Sequence, residues 1–389
     1  MSTLDYFRNA AGEIGDWRRT LHSMPELLYD LPRTSAYVAD KLRSFGVDEI
    51  TGGVAQSGIV AVIEGRKGPG GTVGLRADMD ALPIAETTGL AYASDTDGHM
   101  HACGHDGHTA MLLGAARYLS ETRDFAGRVV LVFQPAEEGG AGGEAMLKDG
   151  LLRRWPMQQI YGLHNQPGIP VGRYAIREGA MLASSDMFDV TITGKGGHAA
   201  APQTATDALV TAATIIASAQ SVVSRNLSPF DAAALSVTRI SSGDSYITIA
   251  ETACFSGTIR TLDERTRGMI KSRLEEIVHA GAKLHGAKAE IDFLGGYPVL
   301  KNHREHTVRA AEAARSIVGA DAVDADCAPI LASEDFAFML NEVPGAYIFI
   351  GNGDTASLHN SAYDFNDDAI PYGCAFLAEV ARSALSDMK

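Results

Sequence analysis

The sequence predicts an α/β fold into which a smaller α+β unit is inserted. Three observations carry this. At 389 residues, nearly half of them apolar, the chain exceeds what one hydrophobic core usually organises. Its first half alternates short apolar runs with stretches of helical periodicity, the signature of an α/β layer structure. From about Gly179 the order changes to strand, helix, two strands, helix, strand.

Apolar residues recur at helical spacing over 4–20 and again over 34–45, where Gly46 ends the pattern. The runs 58–64, 72–78, 128–133 and 159–163 read as strands, and the spacing predicts a helix over 109–120. Residues able to do chemistry lie just beyond those strands: Asp78 and Asp80, then Glu137 and Glu138, then His164 and Asn165. Open α/β sheets bind their ligands in such loops. The second unit reads as strand 186–193, helix 207–224, strands 232–240 and 250–259, helix 263–286 and strand 289–294. This βαββαβ order closes a small sheet with two helices on one face, as in ferredoxin-like domains. Helices over 303–318, 333–340 and 370–385 and a strand over 346–350 return to the first unit. The domain boundaries so predicted are 1–179, 180–294 and 295–389.

A net charge of −15 and the lack of any concentrated basic segment exclude a nucleic-acid partner. No apolar run reaches the roughly 20 residues of a membrane helix, so no membrane is expected as a partner. The opening Met-Ser-Thr-Leu-Asp-Tyr-Phe lacks the parts of a signal peptide, and Cys103, Cys254, Cys327 and Cys374 are scattered. A cytoplasmic protein without disulfides is expected.

Four of the twelve histidines fall within ten residues, in Gly98-His-Met-His-Ala-Cys-Gly-His-Asp-Gly-His108, with Cys103 among them. Such a density of nitrogen and sulfur donors, broken by glycines that let the backbone turn, suits a metal ion. Cys103 and His105 are two apart around Gly104 and converge if that glycine turns the chain; a buried cysteine beside surface histidines is the alternative. His99, His101 and His108 are weaker candidates.

Glu137 and Glu138 place adjacent carboxylates after an apolar strand, where their repulsion needs a cation. Adjacent side chains on extended backbone diverge, so one can ligate while the other serves as base toward a metal-bound water. A solvated acidic loop is the alternative. Asp78 and Asp80 sit where carboxylates orient ligating imidazoles. Glu334 and Asp335 open a helix, where a dipole or capping role fits as well.

Several motifs in fixed order closely resemble the aminoacylase/carboxypeptidase G metallopeptidase superfamily, in its branch of hippurate hydrolase, indole-acetyl-amino-acid hydrolase and N-acetyl-diaminopimelate deacetylase. They are His101-Ala-Cys-Gly-His-Asp-Gly-His108, Pro135-Ala-Glu-Glu-Gly-Gly140, Leu163-His-Asn165, Gly194-Lys-Gly-Gly-His-Ala-Ala200, Gly257-Thr-Ile-Arg260, Ser333-Glu-Asp-Phe336 and Leu358-His-Asn360. The resemblance spans the chain. It implies a mixed-sheet, metallopeptidase-like catalytic domain carrying the inserted unit, and a centre of two divalent metal ions held by Cys103, His105, Glu138, His164 and His359, with Glu137 as the base. His164 and His359 enter through the resemblance; neither stands out by spacing.

The resemblance also implies that His198 contacts the oxyanion of the tetrahedral intermediate and that the chain forms a homodimer through the inserted domain. On spacing alone, His198 is an exposed loop histidine. Arg260, at a strand end, suits a substrate carboxylate or is a solvated strand-end charge. Asn165 is a further substrate-binding candidate. One departure weakens the substrate assignment: relatives carry an asparagine where this chain has Ile247, whose side chain cannot hydrogen-bond.

Together these features imply a metal-dependent amidohydrolase that cleaves the amide bond of N-acyl amino acids or similar acylated amines by attack of a metal-bound water. Cys103 favours zinc; manganese, cobalt or nickel are alternatives. The competing functions are a dipeptidase or carboxypeptidase, a metal-binding protein without turnover, and a hydrolase using Cys103 as nucleophile.

Overall fold

The computed structural model describes residues 2–388. The chain divides into two compact units, one comprising Met1–Gly179, Lys301–Ala328 and Asp335–Lys389, the other Ala180–Leu300 and Pro329–Glu334.

The first unit is built on an eight-stranded mixed sheet in the order Glu49–Val54, Gly58–Glu64, Arg128–Gln134, Thr72–Asp78, Gln159–Gln166, Gly345–Gly351, Tyr174–Ala175, Val323–Asp324. Its four central strands, from Arg128–Gln134 to Gly345–Gly351, run parallel. All seven residues of Thr72–Asp78 and of Gly345–Gly351 are buried, as expected for parallel strands covered on both faces. The helices Thr3–Ser23, His105–Thr122 and Ile370–Ser386 contribute Phe7, Ile14, Leu112, Leu119, Phe376 and Leu377 to the core. Parallel strands bring their carboxyl ends to one edge. There the chain leaves Asp78 toward Asp80, Gln134 toward Glu137 and Glu138, and Gly351 toward His359, while His164 lies near the end of Gln159–Gln166.

The second unit holds a four-stranded antiparallel sheet in the order Ala233–Ser241, Thr252–Thr261, Ser184–Thr193, Lys288–Tyr297. Burial alternates along Thr252–Thr261, and Phe188, Phe255 and Ile259 pack with Ile215 and Leu274 of the helices Ala208–Ala219 and Glu264–Leu284. The 208–226 stretch is apolar and long enough to cross a membrane by composition. Here it breaks at Gln220 and buries one stripe, Ala208, Ala212, Ile215, Ala219 and Val222, in the core of its unit.

Among the boundaries that differ from the sequence expectation, two have a clear physical cause. The helix predicted from Thr109 begins at His105, because His105, Asp106 and His108, polar enough to suggest a loop, are buried and paired in the interior. The expected domain boundary at 294–295 falls inside the strand Lys288–Tyr297, where a register shift between Leu294 and Tyr297 absorbs Gly295 and Gly296. The second unit therefore extends to Leu300. It also takes in 329–334, which bond to it through Ile330 N–H to Met181 O and Ala183 N–H to Ala332 O.

Candidate metal centre

Gly104 sets the centre's first turn. Its φ is +89°, and a Cβ there would lie 2.4 Å from Asn165 Nδ2 and 2.6 Å from Tyr363 Oη, so only glycine fits between Cys103 and His105. His105 Nδ1 donates to the backbone carbonyl of Asp80 at 2.8 Å, which turns Nε2 inward. That Nε2 is buried without a hydrogen bond, 3.9 Å from Asp78 Oδ2 and 4.0 Å from Glu138 Oε1. His164 is oriented the same way: Nδ1 donates to the Asn165 carbonyl at 2.6 Å and Nε2 lies 3.4 Å from Cys103 Sγ.

His359 approaches from the loop after Gly345–Gly351, with Nε2 3.2 Å from Glu138 Oε1. Its backbone is left-handed, at φ +62°, and its N–H donates to the Ala102 carbonyl at 2.8 Å, tying this loop to the Cys103 turn. A left-handed histidine costs backbone energy and persists where its surroundings fix it. Donor atoms of Cys103, His105 and His164 lie within 4.8 Å of one another, as do those of Cys103, Glu138 and His359 and those of His105, Glu137 and Glu138. Ligand bonds of about 2.0–2.3 Å put neighbouring donors roughly 3–4 Å apart. The buried, unbonded His105 Nε2 and this spacing fit divalent cations.

The electrostatics agree. Burial opposes ionisation of Asp78, yet His105, His108 and Arg76 hold its carboxyl well below the ordinary range. Burial would strip His105 of its proton, but Asp78, Asp80 and Glu138 raise its pKa to about 10. Burial, with Glu138 and Glu137 nearby, pushes the Cys103 thiol well up, and burial, with His108 alongside, pushes His164 well down. Without a cation the cluster keeps a thiol and a proton on His105. Metal binding displaces such protons.

Residues 74–383 match the model of Peptidase family M20/M25/M40. The chain belongs to this family. It is 36% identical over 382 residues to a hippurate hydrolase of Campylobacter jejuni, covering 98% of this chain and 99% of the relative. It is likewise 36% identical over 373 residues to an N-acetylcysteine deacetylase of Bacillus subtilis, covering 96% and 97%. Among solved structures, a dinuclear metal binding peptidase of the M20 family from Bacillus subtilis superposes with a TM-score of 0.85 at 31% identity, over 97% of this chain and 99% of that one.

In this M20 member, several polar residues hold the ligand-type side chains from behind. Asp80 accepts the backbone N–H of Glu137 on one oxygen and that of Glu138 on the other, each at 3.0 Å. Asp78 Oδ1 accepts a hydrogen bond from His108 Nδ1 at 2.6 Å, and His108 Nε2 accepts the backbone N–H of Asn165 at 3.0 Å. His108 is thus an interior support. His101 is also buried, with neither ring nitrogen hydrogen-bonded, and burial lowers its pKa to about 3.

Asn165, expected at the substrate, is fully buried instead. Its Nδ2 donates to the Cys103 carbonyl at 2.7 Å and its Oδ1 accepts the Tyr363 hydroxyl at 2.7 Å, so it braces the Cys103 turn. Of the two roles open to the Glu334-Asp335 pair, capping is not made by Asp335: it stands at the start of the helix Phe336–Glu342 without a side-chain cap, and bonds Arg76, Gln134 and Gly143. Sequence reading missed Arg76; a charge in the middle of a strand with every residue buried was its signal.

His198 and Arg260 belong to the second unit. His198 is exposed on a short strand paired with Thr248–Ile249, and its Nδ1 accepts the N–H of Ala200 at 3.0 Å. The Ile247 carbonyl accepts the N–H of Ala199, and the Ile247 side chain is exposed beside this strand. Arg260 is half-buried and donates to Ser333 Oγ at 2.7 Å. No carboxylate pairs with it among the described residues. It lines a 430 Å³ cavity with Met187, Asp189, Arg239, Ser256, Thr258 and Leu294.

Proposed function

We propose that this M20 member is a metal-dependent amidohydrolase acting on N-acyl amino acids or related acylated amines. Cys103, His105, Glu138, His164 and His359 would hold two divalent ions, zinc first because of the thiol ligand, with manganese, cobalt or nickel as alternatives. The observation that carries this reading is the convergence of the donor atoms of those five side chains beside Glu137.

Bound divalent ions would supply Lewis acidity and lower the pKa of water to about 7. Glu137 is buried, its backbone is fixed by Asp80, and its carboxylate lies within 4.8 Å of His105 and Glu138 donors. It takes the proton of the attacking water and passes it to the departing nitrogen. At His198 the acceptor role of Nδ1 places the proton on Nε2, which donates to the developing oxyanion. Arg260, with no carboxylate partner, binds the carboxylate of the amino-acid product half. Ile247 offers an apolar contact where an asparagine would offer an amide.

The relatives named above support acylated amino acids as the substrate class. Exposed Phe230, Tyr246, Ile247, Leu209 and Val210 in the second unit support a homodimer through that unit. Four unpaired cysteines support a reducing, cytoplasmic setting.

A side-by-side assay of zinc-loaded protein on hippurate, N-acetyl amino acids and dipeptides tests the reading. The acylated amino acids should be cleaved faster, and a chelator should abolish the activity. Preference for dipeptides would replace it with a peptidase, and activity surviving chelation would point to Cys103 as nucleophile.

A further inference from the structure

We infer that Asp335 is a positioning residue for the loop that carries Glu137 and Glu138, although about 200 residues separate them in sequence. The inference rests on the proposed metal-dependent function.

The loop leaves the strand Arg128–Gln134 and ends in the helix Gly142–Lys148. Between them Ala136 and Ala141 hold φ of +55° and +56°, left-handed values that alanine adopts only at a cost. A loop with two such residues relaxes unless both of its ends are fixed. Asp335 fixes both. Its Oδ1 and Oδ2 accept from Gln134 Nε2 at 2.7 and 2.8 Å, at the last residue of the strand, and Oδ2 also accepts the backbone N–H of Gly143 at 2.8 Å, in the first turn of the helix.

The same carboxylate extends to the histidine side of the centre. Arg76 donates to Asp335 Oδ1 at 3.0 Å, to Gln134 Oε1 at 2.9 Å and to Asp78 Oδ2 at 2.7 Å. Asp78 holds His108, and His108 accepts from the backbone N–H of Asn165, the residue after His164. Asp335, Gln134, Arg76 and Asp78 are all fully buried, so these charge-assisted bonds act without competing water. Asp335 therefore links the placement of the Glu137-Glu138 loop to that of the His164 strand.

Two variants test this. Asp335→Asn replaces one of the two acceptor oxygens with a donating amide; Gln134→Met keeps every charge and removes the side-chain amide that joins the strand to Asp335 and to Arg76. Zinc affinity of the metal-free chain is read by competition with a chromophoric chelator, beside kcat, KM and metal-free melting. Both variants should fold, lose zinc affinity and kcat by roughly tenfold or more, and keep KM nearly unchanged, as for supports behind metal ligands. Wild-type zinc affinity and kcat in the folded variants would overturn the inference, as would a rise in KM with kcat intact. Failure of both to fold would show a purely structural role and overturn it equally. If the wild-type chain itself takes up no zinc or hydrolyses no acylated amino acid, the proposed function fails instead.

Discussion

Asp80 Oδ1 accepts the backbone N–H of Glu137 at 3.0 Å, fixing the peptide from which the proposed base projects. Its other oxygen does the same for Glu138, and its own carbonyl accepts a hydrogen bond from His105 Nδ1. One residue thus orients a base and two ligand-type side chains. Asp80→Asn replaces one acceptor oxygen with a donor that faces an N–H. Zinc affinity, measured by chelator competition, should fall roughly 10–100-fold. An unchanged affinity would mean that the loop holds its place without Asp80.

Gly104→Ala should damage both the fold and the centre. A methyl group would meet Asn165 Nδ2 at 2.4 Å in a backbone already at φ +89°. Overpacking and left-handed strain together cost on the order of 3 kcal/mol. Denaturant titration of the metal-free variant should show that loss, and its zinc content after dialysis should drop. A variant as stable as the parent would show that the turn can open.

The pH dependence of stability should carry the mark of His22. Its ring is fully buried; burial lowers its pKa, but Asp106 at 2.8 Å and Glu86 at 3.4 Å overcome this and raise it to about 9. Unfolded histidine titrates near 6.5. The native value is the higher one, so the stabilisation is complete below about pH 6.5 and is lost as pH rises through 9, by on the order of 3 kcal/mol. Denaturation of wild type and His22→Gln at pH 6 and pH 9.5 isolates the effect. The difference in stability between them should shrink at the higher pH, and an equal difference at both would contradict the raised pKa.

His198→Ala should leave zinc content untouched, because His198 lies outside the cluster of donor atoms. Removing an oxyanion donor typically lowers kcat by about 10²–10³. Steady-state kinetics with matched metal analysis separates the two. A normal kcat would return His198 to the role of an exposed strand residue.

Much of this was legible in the sequence because burial writes itself as apolar runs. The strands Gly58–Glu64 and Thr72–Asp78 have the bounds that their apolar patterns predict. The strand Glu49–Val54 was not legible: Gly52 and Gly53 interrupt it, and only one of its residues is buried. The start of the helix at His105 was hidden by polar residues whose partners come from other strands, as Asp78 does for His108. Cys103, His105 and the glutamate pair were visible because spacing and donor chemistry concentrate there. The contacts of Asn165 and Asp335 were not legible for the opposite reason: their partners Cys103, Tyr363, Arg76, Gln134 and Gly143 lie 62 to 259 residues away, and no local pattern encodes such a contact.

The sharpest test is Glu137→Gln, measured for zinc content and for kcat on an N-acyl amino acid in the same preparation. General-base catalysis contributes about 10²–10⁴ in rate, so kcat should fall by at least that order while bound zinc stays at the wild-type level. Loss of zinc in the variant would make Glu137 a ligand, and retention of both zinc and activity would remove it from the chemistry.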